Sequence, residues 1–256
     1  MPGMIDLGNS VALVTGATSG IGLACVERFA REGARVVAVG RRADRLGALS
    51  ARLGDRVHPV VLDVRRREDV EEALGELPRG LAEVDVLVNN AGLALGLEPA
   101  HRASLDEWQQ MIDTNVTALS VVTRTILPGM VARDRGHVVN VGSVAGTYPY
   151  PGGNVYAATK AFVHQFSLAL RADLLGTRVR VTSVEPGMTE TEFSEVRFGG
   201  DAERAKKVYA GLKPLGGDDV ADAIAWAVTR PAHVNVNVVE LMPVAQAFSP
   251  FAVHRG

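Results

Sequence analysis

Seven short runs of β-branched and aliphatic residues, separated by longer stretches of helical periodicity, leave this chain few folds to choose from. The runs are "VALVT" (11–15), "ARVVAV" (34–39), "VHPVVLD" (57–63), "VDVLVN" (84–89), "HVVNVG" (137–142), "RVRVTSV" (178–184) and "VNVNVVEL" (234–241). Most are apolar at consecutive positions, which predicts central strands covered on both sides. Between them lie patterns such as "GLACVERFAREG" and "LDEWQQMIDTNVTALSVVTRTILPGM", where apolar residues return every three or four positions. Such alternation predicts right-handed βαβ crossovers and a parallel, doubly wound α/β sheet of about seven strands with helices on both faces. A length of 256 residues suits one domain of this kind, 1–256, and is short for two. The longest late stretch without a strand, 186–217, is polar, glycine-bearing and helical only in parts; it is the candidate lid over a site.

Composition narrows the partners. A formal net charge of −2 gives no general attraction to nucleic acid or anionic lipid. No apolar run reaches the roughly 18 residues of a membrane span, and the N-terminal residues lack the basic head and apolar core of an export signal. The lone cysteine, Cys25, excludes an internal disulfide framework and fits a reducing cytoplasm. A cytoplasmic protein acting on a small molecule is therefore expected. The densest charge run, "RRREDVEE" (65–72), is mixed in sign and reads as the solvated start of a helix.

The first strand runs into "TGATSGIG" (15–22), which opens directly into a helix pattern. Gly16 permits a tight exit from the strand, Gly20 lets backbone approach a pyrophosphate, and Gly22 lets helix and strand pack closely. Thr18, Ser19 and Ile21 complete the turn. The helix N-terminus then offers N–H groups and partial positive charge to phosphates. In this context the turn predicts dinucleotide binding on a Rossmann fold.

The glycine spacing is G-x-x-x-G-x-G, and with it the chain resembles the short-chain dehydrogenase/reductase family. The likeness runs over nearly the whole chain. It is carried by "TGATSGIG", "NNAG" (89–92), Asn115, Ser143, the pair Tyr156 and Lys160, and "PG" (186–187), in the family's order. It implies that Asp63, with Val64 beside it, meets the adenine, that Asn89, Ala91 and Gly92 support the adenosine half, and that Pro186, Gly187 and Thr189 line the cofactor.

At the end of the second strand, NAD-binding proteins of this fold carry a carboxylate for the ribose 2′-hydroxyl. This chain reads "AVGRR" there. A guanidinium can grip a 2′-phosphate through paired hydrogen bonds, so NADP is the expected cofactor, held by Arg41 first and Arg42 second.

Lys160 is the only lysine before residue 205 in a chain that otherwise uses arginine. It stands four residues after Tyr156, hence on the same helix face. A tyrosine hydroxyl titrates near 10, too high for easy proton transfer at neutral pH, and a neighbouring ammonium favours the phenolate. Ser143, just past the fifth strand, is placed to hydrogen-bond a substrate carbonyl. The resemblance implies that Tyr156 is general acid and base, that Ser143 orients the carbonyl, that Lys160 lowers the tyrosine pKa and binds the nicotinamide ribose, and that Asn115 helps hold a relay water. Read alone, Asn115 is equally a mid-helix polar residue at a kink.

Longer words, among them "NNAGLALGLEPAH", "YPYPGGNVYAATKAFVHQFSLALRADL" and "TEFSEVRF", resemble one branch of the family: the NADP-dependent 3-hydroxy acid dehydrogenases acting on serine, allo-threonine and related acids. That implies interconversion of a 3-hydroxy acid and its carbonyl form. The alternatives are a broader carbonyl or ketone reductase and a non-catalytic NADP-sensing protein. Arg197, in the lid, is the candidate for a substrate carboxylate, or else an ordinary surface arginine. Glu185 is either a contact for a substrate amine or a hydrogen-bonded strand-end carboxylate. Tyr150 and Gly153 are expected to shape the pocket. His101 and His164 lack metal-ligand spacing, so no metal site is expected. Apolar surplus on the helices at 105–130 and 156–174, and on the ending "VVELMPVAQAFSPFAVHRG", points with the resemblance to a homotetramer.

Overall fold

A computed structural model describes residues 5–248. Seven parallel strands form one sheet among them: β1 (Val11–Thr15), β2 (Arg35–Gly40), β3 (Val57–Val61), β4 (Val86–Asn89), β5 (Gly136–Val141), β6 (Val179–Pro186) and β7 (Val238–Leu241). Their order across the sheet is β3-β2-β1-β4-β5-β6-β7. The chain winds outward from β1 to β3, returns to lay β4 against the other side of β1, and winds outward again to β7. This reversal opens a crevice beyond the carboxyl ends of β1 and β4.

The continuously apolar runs resolve into two interleaved alternations. On one face Ala12, Val14, Val36, Val86 and Val88 pack with Phe29 of α1 (Gly20–Arg31) and Ile224 of α9 (Gly217–Val228). On the other, Leu13, Val37, Val39 and Leu87 pack with Val70 of α3 (Arg67–Gly75), Val122 and Met130 of α5 (Leu119–Ala132) and Leu170 of α6 (Asn154–Asp173). Cys25 lies fully buried on the inner side of α1, and burial pushes its thiol up to about 12. The edge strands break the all-buried reading. β3 and β7 alternate between more and less covered residues, and β3 carries Pro59, which lacks an N–H and is tolerated where only one neighbour strand exists.

Two expected elements come out shorter than their sequence pattern. The last strand is regular only from Val238. Before it, the Asn235 side chain stands in for strand backbone, accepting from Val181 N at 2.8 Å and donating to Val181 O at 2.9 Å. The long helix expected at 105–130 divides into α4 (Leu105–Ile112), a π-helical turn at Asp113–Ala118 and α5. The remaining helices are α2 (Ala43–Leu53), and within the lid segment α7 (Glu192–Arg197) and α8 (Ala202–Tyr209). The lid's base is pinned where Leu215 N donates to Met188 O at 2.9 Å and Glu190 N to Leu215 O at 2.8 Å. The charge run becomes the solvated start of α3, with Arg67 paired to Glu71 at 2.8 Å. Among the described residues no helix is long and apolar enough to cross a membrane. Residues 249–256 of the apolar ending lie outside the described residues.

Candidate active site

A cavity of about 540 Å³ occupies the crevice, bounded by the ends of β1, β2, β4, β5 and β6 and covered by the lid segment. One end is a backbone cradle. Gly16 takes φ +68°, and a side chain there would meet the Asn90 amide 2.8 Å away. A Cβ on Gly22 would fall well inside the contact distance of the Gly16 carbonyl oxygen, so α1 abuts the turn as the glycine spacing requires. Ser19 precedes α1 without a side-chain cap bond, leaving the helix's first N–H groups for another partner. The turn is braced from β4: the Asn90 amide donates to Thr15 O at 3.0 Å, and Thr15 Oγ1 accepts from Asn90 N and Ala91 N, each at 3.0 Å. Gly16, Thr18, Ser19, Gly20, Ile21, Ala91, Gly92 and Val64 line the cleft as expected.

Asn89 does not. It sits within β4, where strand alternation turns it under the sheet, and its amide donates to Thr123 Oγ1 at 2.8 Å and Asn140 Oδ1 at 2.9 Å. The support for the adenosine half expected of Asn89 is thus not visible in its geometry, and it is Asn90, one residue on and on the other face, that braces the glycine turn.

At the end of β2 both arginines line the cavity, in different states. Arg41 is exposed and hydrogen-bonds no partner among the described residues. Arg42 is engaged: Nε and Nη2 donate to Thr18 Oγ1 at 3.0 and 2.8 Å, Nη2 to Ser19 Oγ at 2.9 Å, and Nη1 to Glu192 Oε2 at 2.8 Å. Asp63 also lines the cavity, but the Arg65 fork grips both its oxygens and holds its carboxyl below the usual range. An adenine amine would therefore share Asp63 with Arg65.

The opposite end gathers the residues expected to carry the chemistry. Ser143 follows β5 in extended backbone, and its Oγ accepts from Ala145 N at 3.1 Å. Tyr156 is buried in the first turn of α6, with Ser143 beside its phenol. Burial pushes the Tyr156 phenol up to about 12, with Tyr150 adding to the rise while Ser143 and the Arg197 guanidinium oppose it. One turn on, Lys160 is buried and donates to Val141 O at 2.9 Å, its Nζ 5.9 Å from the centre of the Tyr156 ring. Burial brings Lys160 down to about 8. An amine titrating there is still mostly protonated at neutral pH, so Lys160 stands near the Tyr156 ring as a cation, as Arg197 does.

Arg197 ends α7 and reaches into the cleft. Its guanidinium lies 5.3 Å from the ring centres of both Tyr150 and Tyr156, and it donates to the Tyr150 hydroxyl. Phe193, one helical turn earlier, packs on the Tyr156 ring at 5.6 Å between centres. Gly96 N donates to Arg197 O at 3.2 Å, tying lid to the loop after β4. Pro186, Gly187 and Thr189 line the cavity between the two ends. A side chain on Gly187 would collide with Gln246 Oε1, which accepts from Met188 N at 2.7 Å.

Three further candidates, Asn115, Glu185 and Gly153, stand behind the cavity lining. Asn115 is fully buried in the π-helical turn and sews it to the loop after β4: Oδ1 accepts from Leu93 N, and Nδ2 donates to Leu93 O, both at 2.9 Å, and to Thr159 Oγ1 at 3.0 Å. Both amide protons are thereby used within the protein, and Asn115 is not among the residues lining the cavity. Glu185 is buried on β6, accepting from Ser183 Oγ and paired with His164 Nδ1, each at 2.7 Å, and it does not face the cavity. It is the hydrogen-bonded strand-end carboxylate, not a substrate contact. Gly153 stands behind Tyr150, where a Cβ would come within 3.0 Å of that ring. Asn90, Glu192, Phe193 and Gln246 were not singled out by sequence reasoning, although "NNAG" and "TEF" contain three of them.

A phosphate-accepting helix end and a serine–tyrosine pair, facing each other across one crevice of a doubly wound sheet, define a dinucleotide-binding fold equipped for proton transfer. The family model for short chain dehydrogenases matches residues 10–200. The chain is 56% identical over 246 residues to an NADP-dependent 3-hydroxy acid dehydrogenase of Salmonella typhi, covering 96% of this chain and 99% of that one. It is 53% identical over 243 residues to serine 3-dehydrogenase of Rhizobium radiobacter, covering 95% and 97%. Its backbone matches the closed form of a serine dehydrogenase complexed with NADP+ with a TM-score of 0.93 at 54% identity, over 96% of this chain and all of the other. This chain belongs to the short-chain dehydrogenase family.

Proposed function

We propose that the protein is an NADP-dependent oxidoreductase that interconverts a 3-hydroxy acid, of the serine, allo-threonine, 3-hydroxypropionate or 3-hydroxyisobutyrate type, and its carbonyl form. The observation that carries this reading is Arg197. A fixed cation within reach of the Tyr156–Ser143 pair gives a substrate carboxylate a partner beside the reacting carbon, which a general ketone reductase does not need. The named activities of the relatives support it.

NADP fits the residues present: the glycine turn leaves room that side chains would fill, and Arg41 lines the cavity at the end of β2, where a 2′-phosphate is expected. When bound, the nicotinamide accepts or supplies the hydride. The protein's part is to place and move a proton. Ser143 Oγ donates to the substrate oxygen, and Tyr156 takes the hydroxyl proton in oxidation and returns it in reduction. Lys160 binds the nicotinamide ribose. Asn115 acts as a positioning residue by fixing the loop at 91–93 against α6. Residues 186–217 form a lid carried on a single catalytic domain. Tyr150 holds Arg197 and shapes the pocket.

We also read Leu105, Ile112 and Phe162, which are exposed apolar residues on α4 and α6, as part of a homotetramer interface in a cytoplasmic protein; light scattering tests this. For the activity, the test is a panel of serine, 3-hydroxyisobutyrate, 3-hydroxypropionate and simple ketones with NADP(H) and NAD(H). The 3-hydroxy acids should turn over best with NADP+, and Arg41→Ala should weaken NADPH about tenfold or more with little effect on NADH. Preference for uncharged ketones would overturn the substrate assignment, and equal loss of both cofactors would overturn that of Arg41.

A further inference from the structure

The lid reaches back over the adenosine end of the cleft through one side chain. Glu192, the first residue of α7, places Oε2 2.8 Å from Arg42 Nη1 and pairs its other oxygen with Arg45. The flanking residues fit this approach. Thr191 caps α7 by accepting from Phe193 N at 3.3 Å, and it lies so close to Gly20 that a Cβ there would sit 3.0 Å from it. The same short helix carries Phe193 against Tyr156 and ends in Arg197. Whatever holds Glu192 therefore also holds two groups that shape the catalytic end.

We propose that Glu192 is a latch: its ion pairs with Arg42 and Arg45 hold the lid closed from the cofactor end, and so position Phe193 and Arg197 over Tyr156. This rests on the NADP-dependent reading above. Charge favours a latch over a competitor for the phosphate. Arg42 and Arg45 share the one Glu192 carboxylate, while Arg41, which lies toward Asp63 and does not touch Glu192, lines the cavity at the end of β2, the expected place of the 2′-phosphate. Arg41 is left to receive it, so Glu192 need not be displaced. A shared, half-buried carboxylate between two guanidiniums is worth more than an isolated surface pair but remains modest, as a lid that must open requires.

The test compares wild type with Glu192→Gln and Arg45→Met. Amide hydrogen exchange over residues 190–209, measured without any ligand, should speed up about fivefold in Glu192→Gln and by less in Arg45→Met, which leaves the Arg42 pair, and the double variant should exchange no faster than Glu192→Gln, because Arg45 acts on the lid through Glu192. KM for the 3-hydroxy acid should rise by a similar factor in Glu192→Gln, while NADP+ binding by calorimetry changes less than about threefold. Unchanged exchange over 190–209 overturns the proposal. So does NADP+ binding about tenfold tighter in Glu192→Gln, which would make the carboxylate a competitor. Failure of wild type to bind NADP+ would sink the functional reading instead, and the exchange comparison would still judge the latch.

Discussion

Replacing Arg197 by methionine isolates its effect on the catalytic phenol, because methionine keeps much of the packing volume and removes the charge. The guanidinium lies 5.3 Å from the centre of the Tyr156 ring. At an effective dielectric of about 20, two unit charges at that separation interact by about 3 kcal/mol, equivalent to roughly two pKa units. Part of the guanidinium meets solvent, so a shift of one to two units is the reasonable expectation. The sign follows from the chemistry: a cation favours the phenolate, its loss raises the phenol pKa, and oxidation requires the phenolate. The acid limb of kcat/KM for alcohol oxidation should therefore move to higher pH in Arg197→Met, measured at saturating NADP+ across neutral and alkaline pH. An uncharged alcohol of similar size separates this from carboxylate binding. The limb should shift for both substrates, whereas KM should rise only for the acid. Superimposable acid limbs in the two proteins would refute the claim that Arg197 acts on Tyr156.

Tyr156→Phe should cut turnover by about a thousandfold while NADPH binding, followed by fluorescence, stays within a few fold, since only the hydroxyl is removed. Lys160→Met should abolish activity yet stabilise the protein at neutral pH. A buried lysine titrating at about 8 against 10.5 unfolded carries a penalty of about 3 kcal/mol below its folded pKa, relieved as pH rises toward the unfolded value, and the lost bond to Val141 O leaves a gain of about 2 kcal/mol in thermal unfolding. Gly22→Ala should cost about 3 kcal/mol, or roughly 10 °C in Tm, because the new methyl meets the Gly16 carbonyl, which is backbone and cannot turn aside.

The architecture was legible because each central strand must be apolar on both faces, and that requirement writes itself as a continuous run. The cofactor cradle was legible because only glycine tolerates the contacts at positions 16 and 22. Side-chain direction was harder to see. Asn89 and Asn90 are adjacent and chemically alike, and only the exact end of β4 decides which one faces the turn. Asn115 is named through the family resemblance alone, and no local pattern foretells that a π turn ties its side chain to the Leu93 backbone. Glu185 sits beside cleft-lining Pro186, yet strand alternation sends it to His164. The pairing of Arg197 with Tyr156 joins residues 41 apart through a lid whose path no local periodicity specifies.

Cys25 gives the molecule a built-in clock. Its sulfur is sealed beneath α1, directly behind the glycine turn, and its high pKa keeps it protonated and inert at physiological pH. A thiol reagent can reach it only when that helix lifts from the sheet, so the pace of alkylation follows how much of the time the nucleotide-binding half stands open. Anything that occupies the turn from outside should slow that pace in proportion to how often it is bound.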